Sequence, residues 1–288
     1  MIPAALLLGL LAVDAGAPDA APPRNRGVVA KQWQALKTPF SGRALSIGTC
    51  SCGCLQGAAT LPVSGRGFET MRLGRNRRYG HPALVAYIQR LGAAAAKEKL
   101  GLLVVGDLSQ PRGGPTPSGH RSHQTGLDVD LGYVAPPGAR KGMSPQARES
   151  LSAVAVVNPK THEKNPGWTE NVPKLLALAA ADPAVDRIFV DPAIKKLMCE
   201  GPHAKAPWQS RLRPWWNHHD HFHVRLACPP DSPQCVPQEP IPNDGCGAPL
   251  AWWFSEDATA TRTKKKEAAA AEPEPALPPE CAALATSN

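Results

Sequence analysis

Two stretches of the chain alternate apolar and polar side chains with a period of two. In LDVDLGYV, residues 127–134, Leu127, Val129 and Leu131 alternate with Asp128 and Asp130. In HFHVRL, residues 221–226, Phe222, Val224 and Leu226 alternate with His221, His223 and Arg225. Each pattern predicts a half-buried strand, with aliphatic side chains on one face and ionisable ones on the other. Two neighbouring strands of this kind share a core beneath and a polar floor above. Elsewhere the period is helical: Leu84, Val85, Ile88 and Leu91 recur at helix spacing within residues 81–100, with Pro82 in the first turn. Residues 174–181 also read as helix, whereas 102–105 and 187–190 read as short buried strands. Asp191-Pro192 has the form of an N-cap followed by proline at the first helical position, which opens a helix through Lys196 to Cys199. Strands and helices mixed without regular βαβ alternation predict an α+β fold, a small central antiparallel sheet flanked by helices and long loops.

Composition adds the loops and the ends. Of 288 residues, 32 are proline, about twice the usual share, which argues against a helical bundle. With 42% hydrophobic and 19% charged residues, the chain has enough apolar side chains to build a core, and wholesale disorder is excluded. The first 13 residues, MIPAALLLGLLAV, form an apolar run too short to span a membrane and are followed by the small residues Ala15, Gly16 and Ala17. Residues 1–17 therefore read as a signal peptide, although no lysine or arginine precedes the run. A Pro/Ala-rich linker is expected at 18–40, a single domain at 41–255, and a mobile low-complexity tail at 256–288. No other stretch reaches the roughly 18 apolar residues of a transmembrane helix, so none is expected in the mature chain. The formal charge of +8 suits an anionic neighbour such as a cell wall. The basic residues are scattered apart from Arg72–Arg78 and Lys264–Lys266, and no aromatic recognition motif accompanies them, which speaks against nucleic acid.

Candidate chemistry lies in the histidines. Six of nine (His120, His123, His218, His219, His221, His223) fall in two short stretches about a hundred residues apart. His123 and Asp130 stand seven apart, and His221 and His223 form H-x-H. Each pattern alone is weak; their placement on two amphipathic strands is what makes them informative. Residues two apart on a strand are separated by about 6.6 Å, too far for both imidazoles to bind one ion comfortably. One of the pair is expected to ligate and the other to face the reacting water. His123, Asp130 and His223 would supply two nitrogens and one oxygen to a zinc ion with an open water position. That leaves His120, His218 and His221 to orient or move protons.

These residues carry a resemblance to a known family. SGHRSHQTGLDVD, the preceding GDLSQPRGG, the later WWNHHDHFHVRL, and the supporting RNRRYGHP and RIFVDPAIKKLMC resemble the penicillin-insensitive murein endopeptidases, of the wider lysostaphin/D-Ala-D-Ala metallopeptidase group. The likeness runs from about Ser46 to Phe254 in five ordered blocks. It implies that His123, Asp130 and His223 bind a catalytic Zn2+. It also implies that His221 is a base or transition-state stabiliser and that His120 and His218 are further active-site histidines. The implied reaction is cleavage of the D-alanyl–meso-diaminopimelyl cross-link of peptidoglycan in the periplasm, without an acylable serine and so without a target for beta-lactams. Members can hold a second metal after the first motif; here that region is VVNPKTHEKNPGW, with His162 and Glu163 as donors. His219 is an extra imidazole, expected to face solvent. Arg112 and Arg225 are candidate partners for stem-peptide carboxylates. Trp215 and Trp216 are either walls of the cleft or core.

Eight cysteines in an exported chain read as a disulfide framework. Cys228 and Cys235 flank the short loop PPDSPQ and are expected to pair; the resemblance implies Cys199 with Cys246. Cys50, Cys52, Cys54 and Cys281 are expected to form two more bridges, with Cys281 pinning the tail. Two other functions fit the same residues: a D,D- or L,D-carboxypeptidase or dipeptidase of the same fold, and a non-catalytic zinc-bearing wall-binding module. The sequence leaves a homo-oligomer open.

Overall fold

A computed structural model describes residues 26–117, 121–271 and 275–286. The signal peptide, the first part of the linker and His120 lie outside the described residues. In chain order the strands are β1 (Leu45–Thr49), β2 (Cys52–Gln56), β3 (Ala59–Thr60), β4 (Ser64–Gly65), β5 (Phe68–Thr70), β6 (Tyr79–Gly80), β7 (Leu103–Val105), β8 (Asp128–Gly132), β9 (Val185–Val190), β10 (Leu212–Pro214) and β11 (His221–Leu226). The helices are α1 (Arg26–Ala35), α2 (Pro82–Lys97), α3 (Pro145–Ser150), α4 (Asn171–Ala181), α5 (Pro192–Glu200), α6 (Ala248–Ala251), α7 (Glu256–Ala271) and α8 (Cys281–Leu284).

The fold is mixed α+β, and its central sheet is wider than the sequence suggested. Seven strands run in the order β10-β9-β11-β8-β7-β5-β4. The middle pairs β9/β11, β11/β8 and β8/β7 are antiparallel. The flanking pairs β10/β9 and β5/β7 are parallel, so the sheet is mixed. Alternation could reveal only the two amphipathic strands. The three-residue strands β5 and β10 are too short to carry a period of two.

The alternating strands fold as their pattern requires. Val129 and Leu131 of β8 and Phe222 and Val224 of β11 are fully buried in one cluster with Leu84 and Ile88 of α2 and Leu176 and Ala179 of α4. Each large apolar side chain removed from water in this way contributes about 1.5–3 kcal/mol. A one-residue slip of β11 would turn its apolar side chains onto the polar face, so the register is strongly specified. Helix α2 starts where His81 accepts a hydrogen bond from the Ala83 amide (3.2 Å) ahead of Pro82, and Tyr87 ties it to α4 through the Ala179 carbonyl (3.2 Å). Asp191 caps α5 as its sequence predicted, accepting from the Ala193 amide (2.9 Å). Among the described residues no helix is long and apolar enough to cross a membrane.

The two ends of the described chain build a second, smaller core. Val29 and Trp33 of α1 and Leu36 pack with Ile47, Cys54, Cys281 and Leu284. Part of the segment read as linker is therefore helical and buried, because Val29, Trp33 and Leu36 recur at helical spacing. The tail read as mobile contains α7 and α8, with Ala258 and Leu284 buried. Arg112, buried behind this core, donates to the carbonyls of Thr38 (3.0 Å), Leu284 (3.0 Å) and Thr286 (2.7 Å), tying both ends to the loop before the first histidine cluster. A disulfide joins Cys54 to Cys281, and two others join Cys199 to Cys246 and Cys228 to Cys235. The expected fourth bridge does not form: Cys50 and Cys52 stand outside the three disulfides.

The Cys54–Cys281 bridge closes a sequence separation of 227 residues, against 47 and 7 for the others. Its removal thus frees the most chain entropy in the unfolded state. A Cys54→Ser, Cys281→Ser double variant is expected to lose roughly 2–5 kcal/mol of stability. Denaturant unfolding with the other two bridges intact measures this; an unchanged midpoint would show that the tail core holds itself.

Candidate metal centre

The polar faces of β8 and β11 meet in antiparallel register, with His223 opposite Asp130 and Arg225 opposite Asp128. His123 reaches the same point from the loop before β8. His123 sits in the left-handed region (φ 68°), and Gly126 follows it at φ 71°, its carbonyl accepting from the His81 amide (2.9 Å). Left-handed backbone at a non-glycine residue is uncommon and persists where its surroundings enforce it. Here it folds the loop back so that the His123 ring meets the His223 ring edge-on, with centroids 4.6 Å apart.

One carboxylate oxygen gathers both imidazoles. Asp130 Oδ1 lies 3.4 Å from His123 Nε2 and 3.3 Å from His223 Nδ1. Ligand atoms of the three residues lie within 4.8 Å of one another, and all three side chains are buried. This is the one such cluster among the described residues. Burial works against a charged His123, but the carboxylates of Asp130, Asp128 and Asp107 outweigh it and raise its pKa. The same negative field favours a cation at this point. Two imidazole nitrogens and one carboxylate oxygen, buried and converging, suit a zinc-like divalent ion.

Sequence reading missed the residue that orients the centre. Asp128 is fully buried, and its Oδ1 accepts from His223 Nε2 (2.6 Å) and from Arg225 Nε (2.6 Å). Burial alone would push its pKa up; the Arg225 guanidinium and the His223 hydrogen bond hold it well below the usual carboxylate range. Because Asp128 only accepts, His223 carries its proton on Nε2 and turns the Nδ1 lone pair toward Asp130. The D-x-D alternation had put Asp128 on this face, but its partners are a cross-strand matter.

The remaining predicted residues fall into two groups. His221 and His218 join the centre. His221 Nδ1 donates to Asp220 (2.6 Å), a second missed carboxylate, and its Nε2 lies 3.8 Å from Asp130 Oδ1. His218 is buried behind it, with ring centroids 5.0 Å apart. Its Nδ1 donates to the Trp216 carbonyl (2.8 Å), and burial, together with His221 and His223, pulls its pKa down to about 3, so it is neutral. Tyr133 donates to the His218 carbonyl (3.1 Å) and holds its backbone. His219 is half-buried, and its carbonyl accepts from the Val156 amide (2.8 Å).

Of the three residues expected to bind substrate, Arg112 and Arg225 have their guanidinium groups engaged within the protein. Arg225 is buried, with Asp128 and Gln238 on its guanidinium and Phe189 beneath it (5.2 Å). Arg112 holds the chain ends, as described above. Trp216 lies in a cluster with Trp215, Trp252 and Trp253, its ring 4.7 Å from that of Trp253. Its link to the centre is its backbone carbonyl, which accepts the hydrogen bond from His218 Nδ1–H. His162 packs edge-on against Phe254 (4.9 Å), and Glu163 is exposed.

An open cleft of about 200 Å³ leads to the centre, lined by Arg72, Arg75, Asp107, Asp130, Asp220 and His221 together with apolar side chains such as Met71 and Val134. The cluster thus opens to this cleft at Asp130, beside His221.

Known proteins match this chain over most of its length. Relatives named penicillin-insensitive murein endopeptidase in Salmonella paratyphi C, Salmonella typhi and Salmonella arizonae are each 40% identical to it over 265 residues, which covers 90% of this chain and 93% of the relative. A family model described as penicillin-insensitive murein endopeptidase matches residues 46–286. That span takes in both strands of the centre and all three disulfides, and the chain belongs to the penicillin-insensitive murein endopeptidase family.

Proposed function

We propose that this protein hydrolyses peptide cross-links of peptidoglycan as a zinc-dependent endopeptidase of the periplasm, acting at the D-alanyl–meso-diaminopimelyl bond. The observation that carries the reading is the convergence of His123 and His223 on Asp130 at the edge of an open cleft, with the His221 Nε2 beside them. Family membership supplies the substrate class, and three disulfides accord with an exported protein.

His123, Asp130 and His223 would hold the ion. When bound, a divalent zinc-like ion supplies Lewis acidity at a peptide carbonyl and lowers the pKa of water. The protein's own groups handle the protons. Asp220 fixes the His221 tautomer by taking Nδ1–H, which leaves the Nε2 lone pair on the cleft side. From there His221 Nε2 accepts a proton from the attacking water and returns it to the leaving amine nitrogen. Asp220 stabilises the imidazolium in between, and burial of the pair strengthens that interaction. His218, neutral and with Nδ1–H engaged, presents Nε2 as a hydrogen-bond acceptor that orients polar groups around His221.

Ligand and proton-transfer roles separate experimentally. His123→Ala, Asp130→Ala and His223→Ala are each expected to lose bound zinc together with cleavage of cross-linked muropeptides. His221→Ala is expected to keep the metal and lose about 10²–10⁴-fold in kcat. Metal analysis of the purified proteins and mass identification of sacculus digests, with and without chelator, check both; undiminished cleavage by chelated, zinc-free protein would refute the reading. Asp128→Asn keeps the side-chain shape but removes the charge facing His223 and Arg225. Metal affinity is expected to fall about 10–100-fold, read by competition with a chelating dye, and an unaltered affinity would deny Asp128 its orienting role.

A further inference from the structure

The cleft carries two guanidinium groups that proton transfer and metal ligation leave unused. Arg72 and Arg75 both line it, alongside Asp130, Asp220 and His221. They come from one tight 3-10 turn, Leu73–Arg75, bounded on both sides by left-handed residues, Arg72 (φ 52°) and Asn76 (φ 53°). Neither is glycine, so the turn is held in an unfavourable backbone conformation by its surroundings. The Gly74 amide donates to Glu149 Oε1 (2.7 Å), and the Arg72 amide donates to the Arg148 carbonyl (3.2 Å). Arg148 is buried and paired with Glu69, which makes α3 a firm backing for the turn. Strain retained at the mouth of a reactive site is consistent with a functional demand on where these two side chains stand.

The charges around them point to an anion. Each carboxylate lining the cleft already faces a cation or an imidazole. Asp107 Oδ2 takes both Arg75 Nη1 (2.9 Å) and Arg77 Nη1 (3.0 Å); Asp130 faces His123 and His223; Asp220 holds His221. One carboxylate shared between two guanidinium groups leaves a net positive charge there. The Arg75 side chain remains 44% exposed, with the rest of its donor fork available. No ion pair among the described residues involves Arg72, although it is half-buried on the cleft wall. Asp107 also ties this pair to the metal centre, since its carbonyl accepts from the Asp130 amide (3.0 Å).

From this geometry we propose that Arg72 and Arg75 form a subsite for a free carboxylate of the substrate peptide, borne by a residue beside the bond that is cleaved. The planar fork of arginine matches a carboxylate with two parallel hydrogen bonds, which a lysine cannot reproduce. The subsite rests on the peptide-hydrolase reading given above and specifies which cross-linked peptides that activity prefers: those with the free acid over those in which the same carboxyl is a carboxamide.

The test uses the full-length protein with zinc bound and two cross-linked muropeptides that differ only in carboxylate against carboxamide. Wild type is expected to cleave the acid with a kcat/KM roughly tenfold to hundredfold higher than the amide. Arg72→Ala, whose side chain has no ion-pair partner among the described residues to disturb, should lose most of that preference by slowing much more on the acid than on the amide, with zinc content equal to wild type. Arg72→Lys should recover only part of it, and Arg75→Gln should act in the same direction. Equal cleavage of both substrates by wild type, or an equal loss on both by Arg72→Ala, would overturn the subsite while leaving the endopeptidase reading in place. Cleavage of neither by wild type would overturn both.

Discussion

The hydrogen bond between Asp128 and His223 is the constraint on which the centre depends. A carboxylate with no exposure to solvent is costly unless its charge is answered, and Asp128 is answered on one side by Arg225 and on the other by His223. That arrangement exists only in the register that sets Arg225 opposite Asp128 and His223 opposite Asp130. The register in turn is enforced from below by Phe222, Val224, Val129 and Leu131. The apolar face of two short strands therefore decides which nitrogen of His223 points at Asp130.

Around this pair the fold works as a set of braces. His218 is held by Trp216 and Tyr133, and His221 by Asp220, each through a single nitrogen or carbonyl, so that the second ring nitrogen is the one left to act. Asp107 connects the centre to the arginine turn, and Arg112 connects the loop before His123 to both ends of the described chain. The Cys54–Cys281 disulfide reinforces that closure. Residues far from the chemistry thus hold the loop that delivers His123.

Much of the centre was legible in the chain because a period of two is a direct record of which face is wet. Leu127 to Leu131 and Phe222 to Leu226 showed both strands, and H-x-H with the aspartate seven after His123 named the three convergent residues. What escaped were the relations between strands. Arg225 read as a substrate contact because its position on the polar face was visible and its partner Asp128, 97 residues away, was not. Arg112 failed for the same reason: its acceptors include Leu284, 172 residues further on. The tail looked mobile because its apolar residues are few, and it takes Val29, Trp33, Leu36, Ile47 and Cys54 from the other part of the chain to make a core of them. Two-residue and three-residue strands carry no periodicity, so the width and mixed character of the sheet were also hidden.

The most direct measurement is anomalous diffraction at the zinc edge from crystals grown with the ion. A single peak is expected about 2.0–2.2 Å from an imidazole nitrogen of His123, a carboxylate oxygen of Asp130 and Nδ1 of His223, with His223 Nε2 still on Asp128. A peak bound through His223 Nε2, or one that leaves out any of the three residues, would contradict the strand-register account of the site.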